Sequence, residues 1–183
     1  MIYRQRKLNR LRNFNYSSNG YYFVTVCTKN RECLFGEIVD GKMILNEHGI
    51  IVEKCWKEIP KHFNNVLLDI CQIMSNHIHG IIIIKQNVNF VVGNKNFCSL
   101  QVNKIPWQTK LSKSLSSIIR GFKIGVTKQC RKHNKNIVIW QKSFYDHIIR
   151  NEESLDKIRQ YIRDNPKNWN KDRNNPKNII STH

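Results

Sequence analysis

Residues 66–85 read VLLDICQIMSNHIHGIIIIK, and this stretch decides the architecture of the chain. Residues 66–74 and 77–85 are rich in β-branched and aliphatic side chains, and Ser75-Asn76 is a short polar break. Such a pattern predicts two strands joined by a tight connection. Side chains alternate faces along a strand, so His77 and His79 share one face, ~7 Å apart along the strand, while Ile78 points to the other. Two neutral imidazoles so placed can hold one divalent cation and leave positions open for a phosphate oxygen. The alternative is a pair of ordinary strand histidines on a solvated face. Gly80 would let a ligand or another chain approach closely.

Outward from this pair, residues 21–28 (YYFVTVCT) form a central-strand candidate. Asp40-Gly41 marks a hairpin between FGEIV and KMIL. Asn46 can cap a helix reaching about Lys61 and limited by Pro60. A second helix is expected from Ser112 or Ser114 to about His133, with Leu115, Ile118, Ile119, Phe122 and Val126 on one side. Residues 137–140 suggest a short strand. Asn151 caps a last helix that ends before Asn165-Pro166. Residues 86–110 read as a mobile loop, and the polar stretch from Trp169 on as frayed. The order strand, hairpin, helix, two strands, helix predicts an α+β fold. It would be an antiparallel sheet with helices packed on it, close to a ferredoxin-like arrangement. One domain is expected over residues 1–183, with an ordered core at about 20–169, a basic N-terminal arm and a polar C-terminal tail.

The charge suggests the partner. The 183 residues carry 31 Lys+Arg against 13 Asp+Glu, a formal net charge of +18. Such an excess repels itself unless a polyanion is bound, and nucleic acid is the first candidate, ahead of an anionic membrane surface. No apolar run approaches the ~20 residues of a membrane helix. Residues 1–16 have no continuous apolar stretch, so no secretory signal is expected. The six cysteines are widely spaced without a CxxC pair. They read as reduced thiols and argue against a zinc finger. The abundance of Asn, Lys and Ile is read as a compositional bias without functional weight.

Two further groups can carry chemistry. Residues 140–150, WQKSFYDHIIR, gather aromatic, acidic, imidazole and cationic side chains. Tyr145 is a candidate nucleophile, with Asp146, His147 and Arg150 as orienting or phosphate-contacting groups. A structural aromatic corner is the alternative. The helix at 112–133 carries Lys113, Arg120, Lys123, Lys128, Arg131 and Lys132, a face able to track a phosphate backbone. Gln129 on that helix is a candidate third metal ligand, or else a surface residue.

The sequence resembles the REP-associated tyrosine transposases and the wider single-tyrosine transposases of the HUH endonuclease superfamily. The matching pieces are YYFVTVCTKNRECLFGEI, MSNHIHGIIII, SLSSIIRGFKIGVTK and WQKSFYDHIIRNEESLDKIRQYIRDNP, in this order. The resemblance implies an enzyme that cuts single-stranded, hairpin-containing DNA with a tyrosine hydroxyl. The products would be a 5′-phosphotyrosine and a free 3′-OH, and reversal would rejoin strands. It implies Mg²⁺ or Mn²⁺ on His77 and His79, with Gln129 as a further ligand. It also implies a prokaryotic cytoplasmic setting and either a monomer or a dimer. Arg120, Lys123, Lys128, Arg131 and Arg150 would be the DNA-contacting cations.

One departure stands out. The best-known members carry the nucleophilic tyrosine on the helix after the histidine strand, about one turn before a polar metal ligand. That helix has no tyrosine here, and Gly125 stands one turn before Gln129. Tyr145 is then the favoured nucleophile, with Tyr161 read as packed inside its helix. The alternatives are a catalytically impaired, domesticated relative that binds structured single-stranded nucleic acid, and a metal-dependent hydrolase that uses the histidines without a covalent tyrosine.

Overall fold

The structure is a computed structural model that describes residues 14–85 and 113–179. Residues 1–13 of the basic arm expected before residue 20, and the loop expected at 86–110, lie outside the described residues.

The main sheet contains β1 (Gly20–Cys27), β4 (Val66–Ile73), β5 (His77–Ile84) and β6 (Tyr145–Ile149) in the order β4-β5-β1-β6. Every pairing is antiparallel. A separate hairpin joins β2 (Gly36–Val39) to β3 (Lys42–Leu45). Its turn residues Asp40 and Gly41 have φ of 50° and 71°, the left-handed values that a two-residue hairpin turn requires. Helices α1 (Glu47–Lys57), the short α2 (Ile59–His62), α3 (Leu115–Cys130) and α4 (Glu152–Asp164) complete the frame, with a final turn α5 (Pro176–Ile179). The α+β architecture is that expected, with the sheet order of a ferredoxin-like core.

Caps set the helix starts. Asn46, Ser114 and Asn151 accept from the backbone amides of Gly49, Ser117 and Ser154. Pro60 does not end the first helix. It sits in the first turn of α2, where its missing N–H costs nothing. Residues 137–140 form no strand, and only Trp140 makes an isolated bridge, to Thr28.

Strand alternation divides the core in two. On one face α1 and α3 cover Tyr22, Val24, Val26, Ile78, Ile82 and Ile84. On the other, Leu155 and Ile162 of α4 cover Phe23, Ile81 and Ile149. Arg159 fastens α4 to β4, its Nη2 lying 2.6 Å from Asp69 Oδ2. Gly80 faces the first layer, where an added Cβ would lie 2.3 Å from Cζ2 of Trp56. The close approach expected at Gly80 is thus that of the buried Trp56 indole, not of a ligand.

Candidate functional site

The register of β1 and β5 pairs Cys27 with His77 and Thr25 with His79. These residues belong to the α4 face of the sheet, where both imidazoles are fully buried. Their Nε2 atoms stand 3.0 Å apart. Asp172 reaches the same point, with Oδ2 3.8 Å from His77 Nε2. The three ligand atoms lie within 4.8 Å of one another.

Hydrogen bonds orient these groups. Asn76 Nδ2 donates to the carbonyls of Arg31 and Asn174, at 2.9 and 2.8 Å. Its Oδ1 therefore faces His77 Nδ1, 2.8 Å away, and accepts from it. The proton sits on Nδ1 and the Nε2 lone pair of His77 points at His79. Thr25 Oγ1 lies 2.9 Å from His79 Nδ1 and can accept in the same way, which frees His79 Nε2. Asp172 is held by Asn165 Nδ2, at 2.9 Å from Oδ2, and by the backbone amide of Asn174, at 2.6 Å from Oδ1.

This donor set fits a divalent cation. Bonds of ~2.1 Å meeting at a right angle place two nitrogens ~3.0 Å apart, the separation of the two Nε2 atoms. Burial brings the His77 pKa down to about 3, with Arg31 and Arg173 adding to the shift. Burial and the neighbouring His77 hold His79 well below the usual imidazole range. Both rings are thus neutral ligands at physiological pH. His77, His79 and Asp172 form a group able to bind a metal.

The tyrosine that meets this group is Tyr161, not Tyr145. The Tyr161 hydroxyl lies 3.2 Å from His79 Nε2, and its ring packs edge-on against His79 and Phe23. It is 45% exposed, so α4 presents it at the edge of the site rather than enclosing it. Burial of the hydroxyl raises its pKa; Asp172 adds to the rise and Arg173 opposes it. Tyr145 stands on β6, across from Thr25 on the same face and two strands from His79. The Arg173 guanidinium lies over its ring at 5.4 Å.

Other candidates fall elsewhere. Gln129 belongs to α3, which packs on the opposite face of the sheet, and its Nε2 donates to Cys55 Sγ at 3.3 Å. It lies across the sheet from the histidines, and the third potential donor beside them is Asp172. The Lys123 amine donates to the carbonyls of Gln141 and Ser143, at 2.9 and 3.0 Å, and burial lowers its pKa to about 8. It tethers the chain before β6 and is not a free cation. Arg120 and Lys128 are exposed on α3, Arg131 is exposed at its C-cap, and Arg150 is exposed after β6. Among the described residues, Arg31 and Arg173 are cations that act on the histidine pair.

Residues 169–179, expected to be frayed, are folded. Asp172, Asn174 and Asn175 are buried, and Trp169 stacks on His77 with ring centroids 6.0 Å apart. The asparagines read as a compositional bias build this corner: the side chains of Asn76, Asn165 and Asn175 carry hydrogen bonds here, Asn175 Nδ2 to the Trp169 carbonyl. The signals in the sequence were the Asp172 carboxylate in an Asn-rich stretch and Asn76 directly before His77.

Among the described residues no helix is long and apolar enough to cross a membrane. No protein-family model matches the chain. A Haemophilus influenzae protein named only as uncharacterized is 44% identical over 168 residues, which cover 91% of each chain. The solved structure of a REP-associated tyrosine transposase bound to a REP hairpin superposes with a TM-score of 0.57 at 19% identity. That match covers 87% of this chain and 73% of the other. The chain belongs to one family with the Haemophilus influenzae protein, on the fold of the REP-associated tyrosine transposase.

Proposed function

We propose that this protein is a metal-dependent endonuclease and strand transferase for single-stranded, hairpin-containing DNA, with Tyr161 as its nucleophile. The observation that carries this reading is the Tyr161 hydroxyl 3.2 Å from His79 Nε2, beside the paired Nε2 atoms and Asp172. Support comes from the shared fold, the +18 charge and the two arginines at the site.

In this reading His77, His79 and Asp172 hold Mg²⁺ or Mn²⁺. When bound, the cation supplies a Lewis acid for a phosphate oxygen and positive charge beside the phenol. The chain does the rest. Asn76 and Thr25 hold the imidazoles with their Nε2 atoms inward. Arg31 and Arg173 attract and position the phosphodiester. Tyr161 oxygen forms a bond to phosphorus as the P–O3′ bond breaks. The proton lost by the phenol is matched by the one gained by the departing 3′ oxygen. The exchange conserves a phosphodiester, so no nucleotide cofactor is required and the step can reverse. Arg120, Lys128, Arg131 and Arg150 add to the field that draws DNA to the protein.

The test is to incubate the protein with hairpin DNA carrying single-stranded flanks of randomised sequence, with Mn²⁺, and look for an SDS-resistant adduct. Wild type and Tyr145→Phe should form it and Tyr161→Phe should not. An adduct that survives Tyr161→Phe and disappears in Tyr145→Phe would overturn the assignment. Cleavage without any adduct would favour hydrolysis by water.

A further inference from the structure

We infer that the groove lined by Tyr145 and Arg173 is a base-binding subsite that seats a nucleotide next to the scissile phosphate. The inference rests on the reading of the site just given. It also assigns Tyr145 a task other than nucleophilic attack.

A cavity of about 210 Å³ opens beside the histidine pair. Its lining includes Thr25, Arg31, Gln141, Tyr145, Arg173 and Asn174. Thr25 connects the two sites directly. Its hydroxyl contacts His79 Nδ1, and its backbone pairs with Tyr145 on the next strand. Adjacent strands lie ~4.8 Å apart, so Tyr145 stands ~10 Å across the sheet from His79. A strand with one phosphate at the histidines therefore brings a neighbouring nucleotide over Tyr145.

The chemistry of the groove suits a base. Tyr145 is 41% exposed although it lies in the floor of a cleft, so much of its ring remains open to a ligand. Its edge packs against Phe23, with centroids 6.3 Å apart, which fixes the ring on a rigid strand. The Arg173 guanidinium lies over part of the ring, 5.4 Å from its centroid, and extends the platform with a flat, cationic surface. Arg31 Nη1 donates to the Arg173 carbonyl at 2.6 Å and fixes that segment. Aromatic and guanidinium planes together are the usual platform for unpaired bases, and every base has a face to stack. Gln141 at the rim offers both an amide donor and a carbonyl acceptor to a base edge.

The experiment uses the full-length protein and hairpin DNA with an oligothymidine flank, binding being followed by fluorescence anisotropy. One thymine at a time is replaced by an abasic site. Tyr145→Ala should weaken binding ~10-fold on intact DNA, and Tyr145→Phe and Tyr145→Trp should restore it. At one flank position the abasic substitution should weaken wild type equally and leave Tyr145→Ala no weaker than before. With 5-iododeoxyuridine at that position, ultraviolet light should join the DNA to the peptide that contains Tyr145. Unchanged affinity of Tyr145→Ala would overturn the inference. So would an equal loss on intact DNA and on every abasic DNA, which marks a structural role. Failure of wild type to bind single-stranded DNA would instead remove the proposed function itself.

Discussion

The Tyr161 hydroxyl touches His79 Nε2 from 82 positions along the chain, 3.2 Å away. Two independent features hold it there. The apolar face of α4 is buried on Phe23, Ile81 and Ile149, and Arg159 bonds to Asp69 on β4. Removing the hydroxyl alone should leave both intact. Tyr161→Phe should fold, lose no more than about 1 kcal/mol from the missing hydrogen bond, and bind DNA almost as wild type does. The adduct should vanish. Denaturant titration and gel shift, run beside the adduct assay, separate loss of chemistry from loss of structure.

Asn76 is the hinge pin between the histidine strand and the carboxyl-terminal segment. It accepts from His77 and donates to Arg31 and Asn174, all from a fully buried position. Asn76→Ala leaves two carbonyls and one imidazole N–H without that partner. A loss of about 2–4 kcal/mol is expected, from two or three buried polar groups left unsatisfied. Asp172 should be released with the segment, so Mn²⁺ affinity should fall as well. Isothermal titration with Mn²⁺ should show a drop of about 10–100-fold, the usual effect of losing a group that orients a ligand. Undiminished Mn²⁺ affinity in a folded Asn76→Ala protein would show that the segment stays in place without it.

The fold was legible because its signals are local. Alternation over residues 77–84, the Asp40-Gly41 turn and the three capping residues each act within a few positions. The histidine pair was legible for the same reason, since a two-residue spacing fixes a shared face. The rest of the site is a matter of tertiary contact. Tyr161 and Tyr145 are both tyrosines on well-formed elements, and only the placement of α4 over β5 and β1 decides between them. Asp172 was hidden in a polar stretch that looks disordered by composition. It folds because its asparagines bond to buried backbone, which no periodicity reports. Gln129 was misplaced because helical spacing tells which side of α3 is apolar but not which face of the sheet α3 covers.

Gly80 gives a test of that two-faced arrangement. Its α-carbon faces the Trp56 indole, and its neighbours His79 and Ile81 face the other layer. Gly80→Ala should cost about 1–3 kcal/mol, because the indole must move within a packed core. Pairing it with Trp56→Leu should recover part of the loss, since the smaller side chain leaves room for the methyl group. Chemical denaturation of the two single variants and the double variant measures the coupling. Additive losses would place the indole away from Gly80.

Acid should weaken the metal-free protein through His77. Its folded pKa lies at about 3, below the ordinary imidazole value of about 6.5 that the unfolded chain retains. As pH falls through about 6.5 the unfolded chain takes up a proton that the folded site refuses. The unfolded state then binds more protons, so stability must drop as pH drops. The loss begins near pH 6.5 and continues until about pH 3, where the folded ring is protonated too. Above pH 7 this group makes no pH-dependent contribution. Between pH 7 and 5 the denaturation midpoint of wild type should therefore fall more steeply than that of His77→Gln, which cannot titrate. Saturating Mn²⁺ at pH 7 should raise the midpoint of wild type, since a ligand bound only to the folded state stabilises it. The increment should persist down to pH 5, because the folded imidazoles stay unprotonated there and keep their affinity, and His77→Gln should show little of it. Parallel pH slopes for the two proteins would mean that His77 is not a buried neutral imidazole.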